Sequence, residues 1–131
     1  MIRTLRRIGG DERGNATVGF ALVTPLLIAV ALAVVQLALT LHVRTTLAAA
    51  AAEGARAAAL SGSDATAGER RTRAILEGNI AAGSVQQVTV QRELRSGVLV
   101  VSVRIDARLP LLGMLGPTAM QVEGHALQEF A

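Results

Sequence analysis

Between Arg13 and Arg44 the chain carries no Asp, Glu, Lys or Arg, and from Val18 to Leu41 it is almost unbroken Ala, Leu, Val and Ile. That stretch leaves few choices. As a helix rising about 1.5 Å per residue it reaches about 36 Å, against roughly 30 Å of bilayer hydrocarbon. A helix buried in a small water-soluble domain would keep a polar face, and this one has none. It reads as a single transmembrane span, with membrane lipid as the first expected partner. In a chain of 131 residues this leaves about ninety outside the bilayer, near the lower limit for a self-sufficient core.

Arginines set the direction of the span. Arg3, Arg6, Arg7 and Arg13 precede it, whereas the far side carries Arg44 and then Arg56, the latter diluted by Glu53. The excess of positive charge keeps the N-terminus in the cytoplasm and sends the C-terminal part outside, into the periplasm or cell-wall side of a bacterium. A cleaved secretory signal starts in the same way, but its apolar region is only about 7–15 residues long, and this run is longer. The Ala48 to Ala52 run offers the one place where a signal peptidase could act; a soluble binding domain released there is the reading this leaves.

Two residues interrupt the span. Pro25 cannot donate a backbone hydrogen bond and should loosen or kink the helix in its first third. Gln36 puts an amide into hydrocarbon, and either finds a partner on another helix or reaches interfacial water.

Helical character continues from Leu41 to Leu60, where Ala dominates and Pro is absent. Leu41, Leu47, Ala51, Ala55 and Ala58 or Ala59 recur at three to four residue spacing, a narrow stripe suited to close packing, with Arg44, Glu53 and Arg56 on the remainder. Ser61 to Asp64 break the pattern, and Ser63 or Asp64 can cap a second helix over residues 67–82. That helix offers a weak apolar stripe through Ala74, Ile75, Ile80 and Ala81, with Glu69, Arg70, Arg71, Arg73 and Glu77 facing water. Alternation then predicts strands at 85–93, 98–107 and 119–128, the first two joined by a turn at Arg95, Ser96 and Gly97. Leu109 to Met114 is apolar but set among Pro110, Gly113, Gly116 and Pro117, which predicts a loop on the core or membrane surface. The fold class expected is α+β: a long transmembrane helix continuing outside, a short second helix and a small three-stranded antiparallel sheet. The divisions are a basic leader at 1–14, the span at 15–41, its extramembrane continuation at 42–60 and an exposed head at 61–131.

Catalytic chemistry finds no foothold. There is no Cys, so disulfides, thiolate metal sites and thiol nucleophiles are excluded. His42 and His125 have no ligand-spaced partners, the serines lack a nucleophile-elbow context and the glycines make no phosphate-binding fingerprint. No enzyme activity, cofactor, metal or small-molecule substrate is expected. All thirteen basic residues are Arg, but net charge is only +3 and aromatic residues are 2%, so the stacking platforms that single-stranded nucleic acid needs are missing. No nucleic-acid partner is expected.

A short basic leader ending in Gly, a long apolar helix and a small antiparallel sheet together resemble the type IV pilin-like proteins. More narrowly, Asp11 to Leu22 followed by Pro25, Leu26 and Leu27, and Val43 to Leu47 followed by Ala52 to Ala58, resemble the TadE-like pseudopilins of the tight-adherence pilus system. The resemblance covers about the first sixty residues. It implies removal of the leader by a prepilin peptidase after Gly14, leaving Asn15 as the mature terminus, and partnership with other pilin or pseudopilin subunits. It also implies helix packing through Gly19, Phe20, Pro25 and Gln36, and a helix continuation block of Arg44, Glu53, Gly54 and Arg56. Family members usually carry Glu at the fifth mature position, where this chain has Gly19, and tend to carry an acidic residue where Gln36 stands. That Glu is thought to neutralise a neighbouring amino terminus in an apolar filament core, where an unpaired charge is costly. Its replacement by Gly19 points to a minor subunit acting in assembly, initiation or capping, at a tip or in an initiating complex. The alternative is a relative that is never processed, a permanently anchored envelope scaffold whose exposed domain binds a secretion-system partner.

Overall fold

Thirty residues without a charge and a following run of alanines favour one uninterrupted helix, and α1 spans Glu12–Ala59. The computed structural model describes residues 12–60, 63–109 and 118–128. After α1 come α2 (Ala65–Leu76), a short 3-10 helix (Ile80–Ser84), β1 (Val85–Arg95), β2 (Val98–Leu109) and β3 (Thr118–Leu127). The chain divides into two compact units, Met1–Val35 and Gln36–Ala131, the second of which we call the head. This is the α+β arrangement expected. The residues of the leader before Glu12, and the loop expected after Leu109, at 110–117, lie outside the described residues.

Asp64 starts α2. Its carboxylate accepts from the Ala67 backbone N–H at 2.9 Å and from the Thr66 hydroxyl at 2.7 Å. The Thr66 bond first, then the Ala67 bond and the positive charge of Arg70, hold the Asp64 carboxyl below its ordinary pKa.

The second helix was expected to run over 67–82; it ends instead at Leu76. Gly78, with φ 77°, takes the left-handed conformation that closes a helix, and the Asn79 N–H returns to the Leu76 carbonyl. The Asn79 side chain then accepts from the Ala81 N–H and begins the 3-10 helix. The buried face of α2 also differs from the apolar stripe expected. Gly68, Thr72 and Leu76 are buried; of the expected stripe Ala81 is buried and Ile75 packs against the core, whereas Ala74 is exposed and Ile80 is 73% exposed.

Strand order is β1-β2-β3, all antiparallel. The β1–β2 hairpin turns on Ser96 and Gly97, both with positive φ, so the two-residue turn follows the twist of the strands. Alternation on β2 is complete from Val101 onward. Val101, Val103, Ile105, Ala107 and Leu109 are buried, while Ser102, Arg104 and Asp106 on the opposite face are half-buried.

Two clusters join sheet to helix within the head. The larger contains Val43, Leu47, Ala50, Ala51 and Ala55 of α1, Leu76 of α2, Ala81, and Val88, Val103, Ile105, Ala107, Leu109 and Val122 of the strands. The smaller contains Ala58, Ala59 and Val101, with Val90 and Ala126 against it. The α1 stripe read from sequence holds at Leu47, Ala51, Ala55, Ala58 and Ala59; Leu41 is 52% exposed.

Alanines give a helix a thin waist, and the sheet comes close because of it. A Cβ on Gly124 of β3 would stand against the Ala52 amide nitrogen, 2.5 Å from the Ala51 carbonyl carbon and 2.7 Å from its oxygen. Only a residue without a side chain fits there. The upper end of α1 is closed by Arg92 of β1, whose Nη2 donates to the Ala58 carbonyl at 3.0 Å and the Ser63 carbonyl at 2.7 Å. A cation thus meets carbonyls at a helix C-terminus, where the helix dipole is negative.

Candidate functional site: the apolar helix

No part of this chain is as unusual as the lower length of α1. An 18-residue window within it has mean hydropathy 2.7, and none of that window is buried by the protein itself. Large apolar side chains from Val18 to Leu41 stand exposed, Phe20 by 73% and Leu22 by 72%. Withdrawing a dozen or more such side chains from water, at about 1.5–3 kcal/mol each, is worth on the order of 20 kcal/mol. A typical domain is held folded by about 5–15 kcal/mol. A helix of this kind therefore requires an apolar surrounding, and its length and composition suit a membrane.

The hydroxyls in this segment are accommodated by the helix itself. Thr17 donates to the Arg13 carbonyl at 2.9 Å, Thr24 to Phe20 at 2.7 Å and Thr40 to Gln36 at 2.8 Å. Such bonds to the preceding turn let a threonine enter hydrocarbon without an unsatisfied donor. Pro25 follows Thr24 inside the helix and leaves the Ala21 carbonyl without its usual backbone donor.

Gly14 and Asn15 lie in the exposed beginning of α1, which is already helical at Glu12. Gly19 is open, with nothing within 4 Å of the place a Cβ would take, and Phe20 and Pro25 are exposed near it. Gln36 is half-buried, and Arg44 is exposed just past the first fully buried residue of α1, Val43.

In the upper part, Arg56 and Glu53 pair at 2.6 Å with side chains 71% and 43% exposed. Gly54 is different. It is buried, and a Cβ there would collide with the Thr72 Oγ1 and lie 2.9 Å from the Gly68 carbonyl; one on Gly68 would lie 2.7 Å from the Ala58 Cβ. Gly54 therefore belongs to a tight crossing of α1 with α2, in which Thr72 donates to the Gly68 carbonyl at 2.9 Å. Sequence reasoning singled out Gly54 but missed Gly68, Thr72, Gly124 and Arg92. A glycine inside a helical pattern at 68 and another inside a strand pattern at 124 were the available signals, since each is unfavourable without a packing reason. Arg92 offered none.

Residues 14–56 match the family model described as TadE-like protein. Over these residues the chain is similar to the TadE-like family. The match takes in the exposed apolar helix, Gly14, Asn15, Gly54 and Arg56, and stops short of α2 and the sheet. No curated protein and no solved structure matches the chain significantly. The TadE-like family belongs to the tight-adherence pilus system as a structural pilus component, and the match over residues 14–56 points to involvement in that system. Together with the apolar helix it fits a membrane-anchored protein.

Among the described residues no group of His, Asp and Glu could hold a metal ion. His125 and Glu123 approach to 3.9 Å on the outer face of the sheet, as do Arg104 and Glu123, all partly exposed and so weakly coupled.

Proposed function

We propose that this protein is a minor pilin-like subunit that takes part in assembly, initiation or capping of a tight-adherence type pilus. The observation that carries this reading is an apolar helix left uncovered by its own chain, within a segment that matches the TadE-like family. Such a helix serves equally in lipid and among other pilin helices, because both offer an apolar surrounding. The arginines before the span favour a cytoplasmic N-terminus and an exported head. Prepilin peptidase cuts after Gly14 and leaves Asn15 leading the apolar helix, so most of the cytoplasmic positive charge goes with the leader.

Gly19 supports a minor rather than a bulk role. Without an acidic side chain there, the mature helix brings no intramembrane carboxylate to a neighbour's amino terminus. The same feature favours the second reading, a permanently anchored envelope scaffold that binds a secretion-system partner. Mass spectrometry of the membrane form separates the two. A terminus at Asn15, abolished by Gly14→Ala in the same strain, supports the pilin-like subunit; a chain intact at Met1 alongside an active prepilin peptidase supports the scaffold.

A further inference from the structure

The cut proposed after Gly14 falls inside a helix. α1 is already formed at Glu12, so the Gly14–Asn15 peptide lies in its first turn, where the Gly14 carbonyl accepts from the Val18 N–H as α-helical geometry requires. Across the same peptide the Thr17 hydroxyl donates to the Arg13 carbonyl at 2.9 Å. Hydrolysis breaks the C–N bond, adding the OH of a water to the Gly14 carbonyl carbon and its remaining proton to the Asn15 nitrogen. The peptidase has to reach a carbonyl that points along the helix axis and is already hydrogen-bonded, with the backbone on both sides coiled.

Local sequence makes this turn weak. From Gly14 to Gly19 the chain reads Gly, Asn, Ala, Thr, Val, Gly. Glycine loses the most backbone freedom in a helix, Asn competes through its own side chain and β-branched Thr and Val lose χ1 freedom, so Ala16 is the one strong helix former in this stretch. A threonine hydroxyl returned to the carbonyl four residues back loosens a helix slightly further. Tertiary packing adds nothing to hold it. Residues 12–23 are exposed, and among the described residues nothing lies within 4 Å of a Cβ placed on Gly19. Its tendency to open is therefore set by its own helix propensity.

We propose that Gly14 to Gly19 form an opening segment: the prepilin peptidase cuts only while this stretch is unwound, and its weak helix propensity sets how often that happens. The inference rests on the processing after Gly14 proposed above. It gives Gly19 a role of its own, since a residue that touches nothing near it lowers the cost of opening without entering the reaction. Where opening and closing are fast, cleavage follows the population of the open form, so a substitution that strengthens the helix slows processing in proportion.

Full-length chains are expressed with the prepilin peptidase, and the fraction beginning at Asn15 is followed by pulse–chase and mass spectrometry. Gly19→Ala meets no neighbour and only strengthens the helix, so it is expected to slow processing about five-fold, and Ala16→Gly to speed it about five-fold. The double variant is expected to return to the parent rate, which a requirement for either side chain would not produce. Ala33→Gly, well along the helix, is expected to leave the rate unchanged. Rates that ignore the substitutions at 16 and 19, a double variant that keeps the deficit of Gly19→Ala, or an Ala33→Gly chain processed as fast as Ala16→Gly overturns the proposal. A parent chain left at Met1 while the same peptidase processes another pilin removes the cleavage reading itself, and this proposal with it.

Discussion

Replacing Gly124 by Ala sets two effects against each other, and the structure decides between them. Alanine in place of glycine inside a strand should on its own stabilise by about 0.5–1 kcal/mol, because it loses less backbone freedom on folding. Against this, the added methyl would stand 2.5 Å from the Ala51 carbonyl carbon and 2.7 Å from its oxygen, where non-bonded carbon atoms prefer about 3.5–4.0 Å. The obstacle is helix backbone, so relief requires α1 and β3 to separate by about 1 Å along a contact that carries Ala51, Ala55 and Val122. Overpacking of this sort costs about 1–3 kcal/mol, and Gly124→Val should cost more. With no Trp or Tyr to report unfolding, the assay is pulse proteolysis of the head by trypsin in detergent across a urea series, followed by gel. Gly83→Ala is the control, since nothing lies within 4 Å of its Cβ position and no strain attends it. The Gly83→Ala midpoint should be no lower than the parent's, and a Gly124→Ala midpoint equal to or above the parent's would refute the close approach of helix and strand.

Arg92→Ala removes both donors from the Ala58 and Ser63 carbonyls and should lower head stability by about 1–3 kcal/mol, with Arg92→Lys recovering part of it; the same proteolysis assay reads both. Asp64 has its carboxyl pKa held below the ordinary 3.8, so its capping contribution is complete above that unfolded value and disappears as pH falls through the lower folded value. Asp64→Ala should accordingly destabilise at pH 7 and progressively less as the pH is lowered below 3.8, which thermal melts followed by circular dichroism over an acidic pH series will show. Glu53→Gln breaks an exposed pair and should change stability by less than about 0.5 kcal/mol; a larger loss would mean that Glu53 has a partner beyond Arg56.

Patterns that repeat along the chain were readable in advance, and single backbone events were not. The apolar span, the alanine stripe from Leu47 to Ala59 and the alternation of β2 each repeat over many residues, so several side chains report the same face. The Ser96 and Gly97 turn was legible because Gly97 tolerates the positive φ it needs and the polar Arg95 and Ser96 break the apolar alternation. The end of α2 was not, because Ile80, Ala81 and Ala82 continue a helical pattern and only the left-handed turn at Gly78 interrupts it. Strand limits fell short for a related reason. β1 reaches Arg95 and β2 reaches Leu109 because cross-strand pairing, which depends on the partner, holds their ends. Within the candidate site, the exposed helix was evident from composition, whereas the glycine crossing of Gly54 with Gly68 joins residues far apart in sequence and has no local mark.

The threonines of the lower helix carry a further implication. Each hydroxyl at Thr17, Thr24 and Thr40 is already committed to a carbonyl one turn back in the same helix. Side chains so engaged ask nothing of what lies beside them, be it an acyl chain or another protein. A rod built this way can exchange one greasy neighbour for another, or turn about its own axis, without breaking any bond these threonines make.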